Sequence, residues 1–172
     1  MQTKSVNFYS LRYSDVRTYL FAAAFIAGNM VLPQLFHLVP NGGIIWLPIY
    51  FFTLVGAYKY GWRVGLLTAV LSPLANSLLF GMPAMGSLPA ILIKSVLLAT
   101  AAGIAAGRFR KVSLPLLAAV ILFYQCFGAL AEWALCGSLY DALQDFRMGI
   151  PGMLLQLVGG YFFINLLIRK QL

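Results

Sequence analysis

Charge is what this chain has least of. Lys, Arg, Asp and Glu make up 9% of its 172 residues, against about 25% in an ordinary soluble domain. Acids are scarcest, with Asp15, Glu132, Asp141 and Asp145 the complete set. A water-soluble globular domain is thereby excluded, and so is a nucleic-acid-binding surface: the formal charge of +8 rests on too few charges and too little polar surface. The single histidine, His37, makes no metal site. Cys126 and Cys136 stand ten residues apart in one apolar segment, about 15 Å along a helix and too far for a disulfide. They read as small buried apolar side chains. No GxxxxGK[ST], HExxH or GxSxG occurs, so P-loop hydrolysis, metalloprotease and elbow-serine chemistry have no support. The chain reads as a non-enzyme without a cofactor or metal of its own.

Apolar residues fill that space, at 62% of the chain. Six apolar segments, at about 17–38, 43–60, 62–81, 87–107, 113–136 and 147–168, each approach the roughly 20 residues a membrane-spanning helix needs. The expectation is an all-α integral membrane protein, a single transmembrane domain over 1–172 with a short polar lead-in over 1–16. Pro48 interrupts the second segment near its start. The basic residues set the orientation. Lys4, Arg12, Arg17, Lys59, Arg63, Arg108, Arg110, Lys111, Arg169 and Lys170 fall on one side of this threading, with Arg147 on the other. By the positive-inside rule both termini are cytoplasmic.

The twelfth basic residue, Lys94, lies inside the fourth segment. An ammonium at membrane depth costs roughly 2.5–3.5 kcal/mol or more, so it is kept where a partner or water meets it. Gln125, Gly128, Glu132 and Cys136 recur at three- and four-residue steps, forming one stripe on the fifth segment. Asn76 with Ser72, and Gln156, fall in the outer halves of the third and sixth segments. Seven of eight prolines also lie in the outer loops or outer helix halves. An outer pocket with Lys94, Glu132, Asn76 and Gln156 around it and Gln125 at its floor follows, with Trp46 and Trp133 at the outer interface. Two readings stay open: Lys94 and Glu132 neutralise each other, or at least one faces a ligand. The first segment carries Ala23 and Ala27, and Ala24 and Gly28, as small residues four apart. Such a face serves close packing inside the bundle or docking of another membrane protein.

Six segments with both ends inside, AAAFIAG in the first and GWRVGLLTAVLSPLANSLLFGMP in the third resemble the substrate-binding S component of energy-coupling factor (ECF) transporters. The resemblance implies a bacterial cytoplasmic membrane location and tight binding of a vitamin or related micronutrient. It also implies an alanine-rich docking face, here Ala23, Ala24, Ala27 and Gly28, for an ECF T component. ATP would be hydrolysed by two partner ATPase subunits. The competing expectation is a six-helix sensor or scaffold module without transport activity.

Overall fold

The computed structural model describes residues 10–170, so the expectations for Lys4 and most of the polar lead-in lie outside the described residues. All regular structure among them is helical. The long elements are α1 (Val16–Phe36), α4 (Trp62–Phe80), α5 (Leu88–Phe109) and α6 (Leu114–Cys136). Between α1 and α4 run α2 (Gly42–Trp46), a 3₁₀ turn (Pro48–Tyr50) and α3 (Phe51–Tyr60). After α6 come α7 (Leu139–Ala142), α8 (Gln144–Met148), α9 (Ile150–Leu154), a π-helical turn (Leu155–Gly159) and α10 (Gly160–Arg169). Five helices are long and apolar enough to cross a membrane: α1, α4, α5, α6 and the continuous stretch Ile150–Arg169. That is the composition of a multi-pass membrane protein. Large apolar side chains stand exposed along these helices, among them Leu20, Val31, Leu78, Ile104, Leu122, Phe127, Leu154 and Phe162. Water would not leave such a surface uncovered.

The segment expected to span at 43–60 is not one helix. Leu47 adopts a left-handed conformation (φ 45°) and Pro48 brings no N–H, so α2 stops there and the chain restarts through the 3₁₀ turn. What remains, α3, has ten residues and rises about 15 Å. Nine of its ten residues are buried. It is therefore the centre of the bundle, enclosed by α1, α4, α5 and α10.

Small residues let the neighbours come this close. A Cβ on Gly65 of α4 would stand 2.3 Å from Ala57 Cβ and 3.2 Å from Ala99 Cβ, so α3, α4 and α5 meet at one point. Gly103 does the same for α5 against the backbone of Trp62, and Gly56 for α3 against Phe25. At this end the basic residues gather. Leu11 N–H donates to the Tyr60 carbonyl, Arg63 reaches the Leu11 carbonyl, and the Tyr58 hydroxyl donates to the Lys111 carbonyl. We call it the basic end. Helix α6 leaves it and α7 to α9 form the far, acidic end. The 20-residue stretch Ile150–Arg169 is then long enough to return, about 30 Å.

A second tie is polar. Pro33 inside α1 removes the N–H that would have bonded the Asn29 carbonyl one turn back. Asn76 of α4 replaces it, its Nδ2 donating to Asn29 O at 2.9 Å and to Ser72 O at 3.0 Å. The Asn29 side chain donates to Thr53 Oγ1 (3.0 Å) and Ser72 Oγ (3.1 Å) and accepts from Phe52 N–H (3.1 Å). One buried amide thus joins α1, α3 and α4. An apolar solvent offers no substitute partner, so the network keeps a proline-broken helix satisfied.

The cysteines differ from expectation: both are exposed. The buried stripe of α6 runs through Leu117, Val120, Ile121, Tyr124, Gln125, Gly128 and Ala129. Cys126 points away from that stripe, and Cys136 lies in the final turn of α6.

Gly65→Ala should lower stability by about 1–3 kcal/mol, because the methyl meets Ala57 Cβ and Cα, which cannot move without the α3 backbone. Gly107→Ala, which meets nothing within 4 Å, should be neutral or stabilising. Thermal unfolding of the two detergent-purified variants checks the contrast. Equal melting temperatures would remove the close-packing role of Gly65.

Candidate functional site

Lys94 is 3% exposed and begins on the side of α5 that faces α6. Its stem crosses α6 at Gly128, where an added Cβ would lie 2.4 Å from Lys94 Cγ and 3.3 Å from both Cδ and Cε. The glycine is the channel through which a long side chain passes a neighbouring helix. Beyond it the ammonium donates to Glu132 Oε2 at 2.5 Å and to Asp145 Oδ2 at 2.8 Å. Glu132 sits one turn above Gly128 on the same stripe, as the spacing predicts. Asp145 comes from α8, in the excursion between α6 and α9.

Asp145 is the residue that reading the sequence missed. It lies in a short segment between the fifth and sixth apolar runs, where an acid beside Arg147 looks like ordinary loop charge. Arg147 is in fact occupied by Tyr140: its guanidinium stacks over the ring at 3.6 Å and donates to the Tyr140 hydroxyl at 2.5 Å and carbonyl at 3.1 Å. The available signal was arithmetic. With four acids in the chain and one lysine at membrane depth, any acid near the outer ends was a candidate partner.

The triad of one cation and two carboxylates carries a formal charge of −1. The side chains of Glu132 and Asp145 keep 21% and 14% of their surface exposed, whereas Lys94 keeps 4%. A cleft of about 420 Å³ opens beside them, lined by Ser87, Pro89, Ala90, Glu132, Cys136 and Asp141, among others. Three of the protein's four acids therefore gather at this end. A second, mostly apolar cleft of about 360 Å³ meets the first at Ser87. It is lined by Pro33, His37, Ile44, Pro48, Met82 and Pro83, among others.

Below the triad lies a separate polar group. The Tyr124 hydroxyl donates to Gln156 Oε1 at 2.9 Å and accepts from Gln125 Nε2 at 3.0 Å. Both glutamines are fully buried, and Gln156 stands within the π-helical turn. Such turns recur at functional sites. Tyr50 packs its ring 5.3 Å from that of Tyr124 and feels the charges of Asp145 and Glu132. Gln125 Oε1 and Gln156 Nε2 have no hydrogen-bond partner among the described residues, and neither do Gln34 Nε2, Asn76 Oδ1 and Ser95 Oγ.

The structure therefore divides the expected pocket. Lys94 and Glu132 meet; Gln125 and Gln156 meet through Tyr124. Asn76 belongs to neither, since its amide nitrogen is spent on the Asn29 and Ser72 carbonyls. Trp46 stacks on Phe36 with centroids 5.4 Å apart, and its carbonyl lies against Gly152, so it packs α2 between α1 and α9. Trp133 is 45% exposed and does not line the cleft beside Glu132. On α1, Ala23, Ala24 and Ala27 are exposed. Gly28 lies under the ring of Phe52 (2.7 Å from an added Cβ) and so serves packing inside the bundle.

Comparison with protein-family models, with curated proteins and with solved structures finds no match to this chain.

Removing the cation should be the costly change. Lys94→Met leaves two carboxylates facing each other and should destabilise the protein by about 3–5 kcal/mol. Glu132→Gln and Asp145→Asn should each cost less, because the ammonium keeps one charged partner. Asn76→Leu should cost about 1–3 kcal/mol by stranding the Asn29 carbonyl. Melting curves of the four variants give the order, and a Lys94→Met protein as stable as wild type would contradict the triad.

Proposed function

We propose that this chain is the substrate-binding S component of an ECF-type transporter, holding a small vitamin-like ligand at its acidic end. In this reading the bundle crosses the bacterial cytoplasmic membrane with six segments, the sixth crossing supplied by the interrupted stretch 42–60, and both termini are cytoplasmic. The observation that carries the proposal is Lys94 held between Glu132 and Asp145 beneath an open cleft. Ionisable groups at membrane depth are expensive and mark functional sites more often than packing. The ammonium has three N–H donors and uses two on protein among the described residues.

The second carboxylate narrows the chemistry. A lone lysine would favour a carboxylate or phosphate, and a neutral Lys–Glu pair a zwitterion. A triad of formal charge −1, with Asp141 in the same cleft, favours a ligand with a cationic group, alone or beside an anionic one. The apolar cleft that joins at Ser87 suits a ring or hydrocarbon portion. Ala23, Ala24 and Ala27, exposed on α1, are the surface offered to a T component, with Gly28 set aside for packing on Phe52. Partner ATPases would supply the energy.

The sensor or scaffold reading draws on one observation: Lys94 and both amides already have protein partners without a ligand. The two readings part in native mass spectrometry of protein purified from its own host. A transporter subunit should retain a small molecule, and Lys94→Ala or Glu132→Ala should weaken its binding about tenfold or more. Retention unchanged in both variants would discard the site. Ala23→Trp with Ala27→Trp should abolish capture of a T component while leaving the small molecule bound. A protein that carries no ligand and captures no T component or ATPase favours the sensor reading.

A further inference from the structure

The opposite end of the molecule carries most of the basic residues. Glu132, Asp141 and Asp145 lie at the acidic end, and the fourth acid, Asp15, is occupied in capping α1, accepting from Arg17 N–H at 2.9 Å. Both described salt bridges belong to Lys94. Arg169 and Lys170, exposed at the end of α10, therefore have no carboxylate partner among the described residues.

These two cations close a groove of about 420 Å³ along one flank of α10, lined by Tyr161, Phe162, Asn165, Leu166, Arg169 and Lys170. Its apolar edge continues away from them. Leu154, Val158, Phe162 and Leu166 recur at every fourth position and are 54%, 46%, 67% and 48% exposed. Spaced this way they share one helix face over about 18 Å. The apolar span ends at Arg169, so the charged pair stands where hydrocarbon gives way to headgroups.

We propose that this flank of the stretch Ile150–Arg169 binds an anionic phospholipid, its phosphodiester between Arg169 and Lys170 and one acyl chain along Leu166, Phe162, Val158 and Leu154. Charge selects the headgroup. Basic residues at the membrane surface attract anionic lipid. A zwitterionic choline head instead brings its own cation beside the two side chains. The apolar track selects a lipid over a free phosphate, which would gain nothing from residues three turns away. The site shares no residue with the triad, so it stands whether or not the proposed transport function holds.

The full chain in detergent is titrated with phosphatidylglycerol, with phosphatidylcholine of the same acyl chains, and with water-soluble glycerol phosphate, and adducts are counted by native mass spectrometry. Phosphatidylglycerol should bind about tenfold more tightly than phosphatidylcholine, and glycerol phosphate should not compete at the same concentration. Arg169→Gln with Lys170→Gln should equalise the two lipids, whereas Arg169→Lys with Lys170→Arg should keep the preference. These positions are exposed, so both double variants are expected to fold. Equal binding of the two lipids to wild type overturns the proposal, as does a preference that survives the neutral double variant. Competition by glycerol phosphate as strong as that of the lipid overturns the acyl track.

Discussion

The ammonium of Lys94, set between two carboxylates, is the interaction on which the acidic end depends. It fixes three chain segments at once: α5 through its own backbone, α6 through Glu132 and α8 through Asp145. Without Gly128 the stem could not cross α6. Without Asp145 the short helices after α6 would lose their only charged anchor among the described residues. Burying a pair of charges is rarely a net source of stability, but once the lysine is there its partners are compulsory. The excess carboxylate leaves this end with negative character on a protein of formal charge +8.

At the centre of the bundle neutral groups answer one another in the same way. Pro33 breaks one backbone bond of α1, and Asn76 on another helix repairs it. Asn29 then spends its own side chain on α3 and α4. Beside Tyr124 two amides are held by one hydroxyl and each keeps an unmatched atom, as Asn76 does at its Oδ1.

Close approach is the third constraint. A ten-residue helix cannot cross a bilayer alone, and α3 survives at the centre because Gly65, Ala57 and Ala99 bring its neighbours within contact. Small residues elsewhere do other things. Gly28 makes room for Phe52, whereas Ala23, Ala24 and Ala27 remain uncovered. One sequence pattern, small residues four apart, therefore serves both the inside and the outside of the same helix.

Much of this was legible from residue order. Apolar runs of about 20 residues identify α1, α4, α5, α6 and Ile150–Arg169, because helix length and bilayer thickness are matched along the chain itself. The three- and four-residue spacing of Gln125, Gly128 and Glu132 put them on one helix face, since that relation is local, whereas the pairing of Glu132 with Lys94 stayed one of two open readings. What the sequence did not carry was long-range. Asp145 meets Lys94 across 51 residues, and Asn76 meets Asn29 across 47. Helical periodicity reports which side of a helix a residue occupies, but not which helix lies opposite. Residue order alone therefore settled an apolar, all-helical protein with one charge out of place. Only the tertiary structure decided that two acids answer that charge, because partners in space are set by packing and not by position along the chain.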